Sequence, residues 1–198
     1  MAEGLTVTRR DPAAAARFVY DFAEPECWLA AESVIGSLGG AVEWVPVRGA
    51  ALRDGGPPPA CDPAQLAHEA AAAGRLPVRW PAAWPWDPEP ALLAATYAKS
   101  IGRGVAFSLA AFRQAYNGGR DLSEPDTVLI AAAANEMHPR AVLAGMGTRA
   151  TAAALDRATE QAAGAGVPEL PAIVTPDGRV WTGRTCAADA ARSGGRAA

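Results

Sequence analysis

Little in this sequence points to a membrane, a secretory route or a nucleic acid. No run approaches the roughly 20 consecutive apolar residues that a membrane-spanning helix needs. Residues Met1 to Ala16 hold neither a basic start followed by an apolar core nor a small-residue cleavage pattern. A formal net charge of −3 supplies no field that would draw nucleic acid or an anionic lipid surface. Cysteine is scarce as well. Cys27, Cys61 and Cys186 form no Cys-x-x-Cys pair, and together with His68 and His138 they make no metal-ligand spacing, so no metal site is expected. A cytoplasmic protein with reduced thiols is the expectation, Cys61 and Cys186 being incidental small residues.

What is present fits one soluble domain, or one domain carrying a large insertion. A chain of 198 residues can bury a substantial core. Hydrophobic residues at 50% and charged residues at 20% are ordinary for a globular enzyme.

The informative stretch runs from Arg17 to Glu32. A β-branched and aromatic run ends at Ala23, and Pro25 suits the first turn of a helix, where its missing N–H is not needed. A strand therefore feeds straight into a helix. Glu24 to Cys27 fall at the helix N-terminus, whose unpaired N–H groups favour anions and activate thiols. The helix is expected to stop at Gly39-Gly40, and Ala41 to Val47 reads as a second strand, parallel to the first in a right-handed βαβ unit.

Met1 to Pro12 reads as a loose leader. The Gly- and Pro-rich segment from Arg48 to Ala60 reads as a mobile loop, followed by a helix capped at Asp62-Pro63 and stopped by Gly74. Between Leu76 and Pro88 four closely spaced prolines exclude a regular element around Trp80, Trp84 and Trp86. These rings either pin an irregular segment to the core or line a ligand cleft. Helices are expected at Ala91 to Ile101, from about Val105, after a Ser123 to Asp126 capping box, after His138-Pro139, and over Thr148 to Ala163. Val105, Leu109, Phe112 and Tyr116 form the expected core stripe of the second of these. Val167 to Val174, the turn Pro176-Asp177-Gly178 and Arg179 to Trp181 read as a hairpin, and Thr185 as the cap of a last helix over Cys186 to Arg192.

Asp21-Phe22, Pro25 and Trp28-Leu29, with the Gly166-Val167 to Val174 motif and the Arg120 to Pro125 segment, resemble the DsbA-like branch of the thioredoxin superfamily. The similarity extends in particular to 2-hydroxychromene-2-carboxylate isomerases and kappa-class glutathione transferases. It implies a thioredoxin-like α/β fold with a mixed four-stranded sheet, residues 17–47 and 165–192 forming the thioredoxin-like part and 48–164 an inserted helical subdomain. It implies a cis Leu170-Pro171 bond facing the turn, and a homodimer. The family turn reads Cys-Pro-x-Cys or Ser-Pro-Tyr-Ser. Here Glu24 replaces the residue before proline, and Cys27 alone keeps a cysteine position. The γ-glutamyl clamp Gly-x-Asp-Arg is replaced by Gly183-Arg184-Thr185-Cys186.

Three readings follow. The first is an isomerase- or transferase-like enzyme on a small apolar or aromatic molecule, with Glu24 as acid/base, Leu170 and Pro171 as backbone contacts, and Trp28, Trp80, Trp84 or Trp86 as walls. The second is a thiol oxidoreductase using Cys27 alone, and the third a catalytically silent binding protein. Glu24 is alternatively a plain helix cap. Glutathione, implied by the resemblance, is disfavoured: its thiolate beside a Glu24 carboxylate costs about 4 kcal/mol at an effective dielectric of about 20.

With one thiol in the turn, a mixed disulfide has no resolving partner there. The protein is expected not to accelerate insulin reduction by dithiothreitol. Acceleration that disappears in Cys27→Ala would overturn this.

Overall fold

The computed structural model describes residues 15–194; the leader expected at Met1 to Pro12 lies outside them. Its sheet has the order β2-β1-β3-β4. β1 (Ala16–Tyr20) and β2 (Val42–Pro46) are parallel, with Phe18 opposite Trp44. β3 (Ala172–Val174) runs antiparallel to β1 and to β4 (Val180–Thr182), with Ile173 opposite both Phe18 and Trp181. Helix α1 (Pro25–Ser37) makes the parallel crossover. The helix α9 (Cys186–Gly194) closes the chain and packs with α1.

Between β2 and β3 the chain is helical: α2 (Gly49–Leu52), α3 (Pro63–Ala72), α4 (Glu89–Ser100), α5 (Gly104–Tyr116), α6 (Pro125–Ala133), α7 (Pro139–Met146) and α8 (Arg149–Gly164). Local signals explain most starts. Asp62 accepts from the Ala64 N–H, His138 Nδ1 from the Arg140 N–H, and Thr148 Oγ1 from the Thr151 N–H. Proline opens α1, α3, α6 and α7, where no N–H partner is required. No helix among the described residues is long and apolar enough to cross a membrane.

Period-two alternation puts Phe18, Tyr20 and Phe22 on one side of the first strand and its extension. There they meet Trp44 and the inner face of α5. Phe18 and Trp44 rings lie 4.9 Å apart, and Phe22 and Phe112 rings 4.7 Å apart. The Tyr20 hydroxyl and Ser108 Oγ are 2.6 Å apart in the same core, and burial holds the phenol well above its usual pKa against the lowering influence of that hydrogen bond.

Two local readings need correction. On α5, Phe112 and Tyr116 are buried, but Leu109 is half-buried and Val105 is 37% exposed. The core face instead includes Phe107, Ser108, Ala111 and Ala115, because α5 packs against α1, α4 and α6 and so buries a wide face rather than one line. The Ser123 capping box also does not form. Ser123 donates its hydroxyl to Asp121 Oδ1 at 2.7 Å, and Glu124 occupies the N-cap position of α6 without a side-chain cap.

Gly145 of α7 lies directly against the Tyr97 ring of α4, where a Cβ would overlap Cγ, Cδ2 and Cε2. Gly145→Ala should introduce about 1–3 kcal/mol of overpacking strain, outweighing a helix-propensity gain of at most about 1 kcal/mol. Urea denaturation is expected to give a lower midpoint at unchanged slope; a raised midpoint would show that the Tyr97 ring swings aside freely.

Candidate active site

The β1–α1 turn is held by groups far away in sequence. Tyr116 donates its hydroxyl to the Phe22 carbonyl at 2.8 Å, and the Trp84 indole N–H donates to the Ala23 carbonyl at 3.0 Å. Asp21 Oδ1 accepts from the Ala23 N–H at 2.9 Å, and its Oδ2 accepts from the Gly49 N–H at 2.8 Å. Asp21 therefore fastens the turn to the first residue of α2. The peptide bonds Leu170-Pro171 and Trp84-Pro85 are both cis.

Glu24 holds the N-cap position of α1, with φ −104° and ψ 108°, yet its side chain caps nothing. It is 2% exposed, and Oε1 accepts from Arg53 Nη1. The plain helix-cap reading therefore does not describe its side chain. Arg53 is the C-cap of α2 and is followed by Asp54 and Gly55 with φ values of 51° and 84°; its Nε also donates to the Pro57 carbonyl at 2.9 Å. Gly49 is needed beneath this arrangement. A Cβ there would stand 2.5 Å from Glu24 Oε1, 3.0 Å from Arg53 Nη1 and 3.1 Å from Asp21 Oδ2.

Two acids thus share one buried corner with one guanidinium. Burial raises the Glu24 pKa to about 7, against the lowering influence of Arg53 and with a further push from Asp21. Burial likewise raises Asp21 to about 6, although the Ala23 and Gly49 N–H groups and Arg53 favour its charge. Desolvation outweighs both the hydrogen bonds and the ion pair.

Glu24 borders a cavity of about 130 Å³ together with Glu26, Pro59, Cys61, Glu169 and Leu170. Pro171 is buried and is not among its lining residues. The four tryptophans lie elsewhere too. Trp28 is completely buried, 5.8 Å from the Tyr116 ring, and borders a different cavity. Trp86 is buried 5.7 Å from Tyr116, and Trp80 meets Trp84 edge-on at 4.9 Å. Only Trp84, through the Ala23 carbonyl, touches the turn by a hydrogen bond. Trp80, Trp84 and Trp86 pack on one another and on Tyr116 rather than on this cavity, because an irregular proline-rich segment has few ladder bonds and is fixed by its large rings.

Cys27 also departs from expectation. Its side chain is fully buried, and burial with the nearby Glu24 carboxyl raises the thiol well above its usual pKa. The helix N-terminus does not activate it, since no water or cation reaches the sulfur. Among the described residues no cluster of three or more His, Cys, Asp or Glu is arranged to hold a metal. At the clamp position, Arg184 is occupied by Glu26 and Glu69.

Sequence reasoning did not nominate Asp21, Gly49, Arg53 or the cavity-lining Cys61. Asp21 had a signal, a carboxylate ending a hydrophobic strand; Arg53 had none.

The fold and this turn can be set beside solved structures. No family model matches the chain, and no characterised relative matches it in sequence. A 2-hydroxychromene-2-carboxylate isomerase superimposes with TM-score 0.77 at 15% identity, covering 92% of this chain and 95% of its own. The chain has the DsbA-like thioredoxin fold. A probable DsbA oxidoreductase from Streptomyces coelicolor matches with TM-score 0.71 at 19% identity, covering 93% and 91%. A cytosolic disulfide reductase from Pseudomonas aeruginosa matches with TM-score 0.63 at 18% identity, covering 90% and 95%.

Both acids carry pKa values raised above their ordinary range near 4, so the folded state takes up protons that the unfolded state releases. Stability is therefore fullest at low pH for these groups and declines as pH rises through about 4 to 7. Chemical denaturation in a pH series should show this decline, and Glu24→Gln should flatten its upper part; an unchanged slope would mean that Glu24 is ionised throughout.

Proposed function

We propose that this protein is an acid–base enzyme of the isomerase type, working on a small, neutral, hydroxyl-bearing aromatic or apolar molecule at Glu24. One observation carries the reading: a buried carboxyl with a pKa near 7 stands at the turn position before Pro25 and borders a cavity with Leu170. A group with that pKa is populated in both protonation states at neutral pH, which suits it to give and take a proton. Arg53 stabilises the charged form when the proton leaves. Asp21 fixes Gly49 and the turn and, by its nearby charge, adds to the rise of Glu24.

The surroundings narrow the substrate. Glu169 borders the cavity with no ion pair among the described residues, and Glu26 borders it paired with Arg184, so carboxylates outnumber the cations beside it. This disfavours glutathione, whose net charge is negative, and the missing clamp at Gly183 to Cys186 supports the same conclusion. The fully buried Cys27 supports no thiol cycle. A reducing, cytoplasmic setting is part of this proposal, in line with a cytosolic reductase sharing the fold.

The test is a thermal-shift and calorimetric screen with glutathione, aromatic acids and neutral phenols, followed by turnover assays on the neutral phenols that bind. Phenols are expected to stabilise the protein and glutathione to leave it unchanged. Glu24→Gln should abolish any turnover found, and wild-type turnover should inflect near pH 7. Unchanged ligand affinity and turnover in a folded Glu24→Gln protein would remove Glu24 from the chemistry.

A further inference from the structure

A separate cavity of about 170 Å³ lies where β1 and β2 meet α4 and α8. It shares no lining residue with the cavity beside Glu24. The sheet supplies Arg17 of β1 with Glu43 and Val45 of β2. The parallel register sets Arg17 opposite Glu43 and Val19 opposite Val45, so period-two alternation puts them on the face turned away from Phe18 and Trp44. From α8 come Ala154, Arg157, Ala158 and Gln161, whose i, i+3, i+4, i+7 spacing is one face of a helix. Lys99, in the last turn of α4, completes the wall. Three elements therefore aim their polar side chains at one opening.

Charge in this cavity is lopsided. Three cations and one carboxylate line it. Glu43 is already taken by Lys99 at 2.7 Å. Among the described residues, Arg17 and Arg157 make no ion pair with any carboxylate. Of the acids beside Arg157 in the chain, Asp156 is paired with Arg48 and Glu160 does not line the cavity.

Both guanidinium groups are open to an occupant. Arg17 is half-buried, yet none of its nitrogens is closed off from solvent without a partner, and Arg157 is exposed. Partial burial strips water from the Arg17 charge, and the two like charges beside one opening repel each other. A single anion between them relieves both costs. Arginine presents a planar, permanently charged fork that takes oxygens two at a time. Two forks and two surplus charges match a phosphoryl group, which carries about −1.5 to −2 charge on three acceptor oxygens, better than a singly charged carboxylate.

We propose that this cavity binds the phosphoryl group of a small molecule, with Arg17 and Arg157 each taking phosphoryl oxygens and Gln161 donating from the rim. Lys99 adds positive charge without leaving Glu43. The site requires no chemistry at Glu24.

Calorimetric titration of the full-length protein with inorganic phosphate and with glycerol 3-phosphate, at neutral pH and low chloride, tests the site. At least the ester should bind saturably with one-to-one stoichiometry, and acetate should bind about tenfold more weakly or worse, a difference of about 1.4 kcal/mol. Arg17→Gln and Arg157→Gln should each weaken binding about tenfold or more; the second lies exposed on α8, where the change leaves folding intact. Arg140→Gln removes an exposed arginine of α7 outside the cavity and should leave the titration unchanged. Equal affinity for phosphate and the ester would support a site for the phosphoryl group alone, and tighter binding of the ester would support an organic phosphate. No saturable heat with either probe, acetate as tight as phosphate, an unaltered titration in Arg157→Gln, or an equal loss in Arg140→Gln would overturn the site.

Discussion

Two carboxyls buried against one glycine set the terms for the rest of this molecule. Asp21 and Glu24 leave water at the end of β1, and neither is matched by a full complement of charge. Asp21 is satisfied by two backbone N–H groups, one local and one from Gly49, so the thioredoxin-like turn and the start of the helical segment become a single unit. Glu24 has only Arg53. The protein accepts the resulting strain on ionisation at this place, and raised pKa values are its physical expression.

The same corner is fastened to the helical segment by hydrogen bonds. Its carbonyls at Phe22 and Ala23 are held by Tyr116 and Trp84, both from the helical segment. Each aromatic ring inserted into the core thus also supplies a polar handle to the turn. In fold the chain follows the DsbA-like proteins, and the residue before Pro25 in this turn is a buried acid, Glu24, while Cys27 lies in the core. Fold similarity at 15–19% identity shows architecture, and chemistry has to be argued from the side chains in the turn.

The sequence reading and the structure part company in an instructive way. The strand, turn and helix from Arg17 to Glu32 were legible because each signal is local: an alternating aromatic strand, a proline at the first helical turn, a glycine stop. The tryptophans were ambiguous, since a large ring in a proline-rich segment fits a core pin and a ligand wall equally well until its neighbours are known. Cys27 misled for a related reason. A helix N-terminus activates a thiol only where solvent or a cation can reach it, and burial is a property of the whole packed molecule.

By itself, then, the sequence determined the β1–α1–β2 unit, the helical character of the long segment before β3, the hairpin, and the presence of an acid, Glu24, directly before Pro25 in the β1–α1 turn. These depend on propensities, caps and spacing within a few residues. Tertiary structure alone decided that Glu24 faces Arg53 rather than capping its helix, that Gly49 makes room for two carboxylates, and that Trp28 borders a second cavity with Arg75 and Asn117. Those outcomes rest on contacts between residues 28 to 94 positions apart, and on a desolvation cost that exists only once the core has closed.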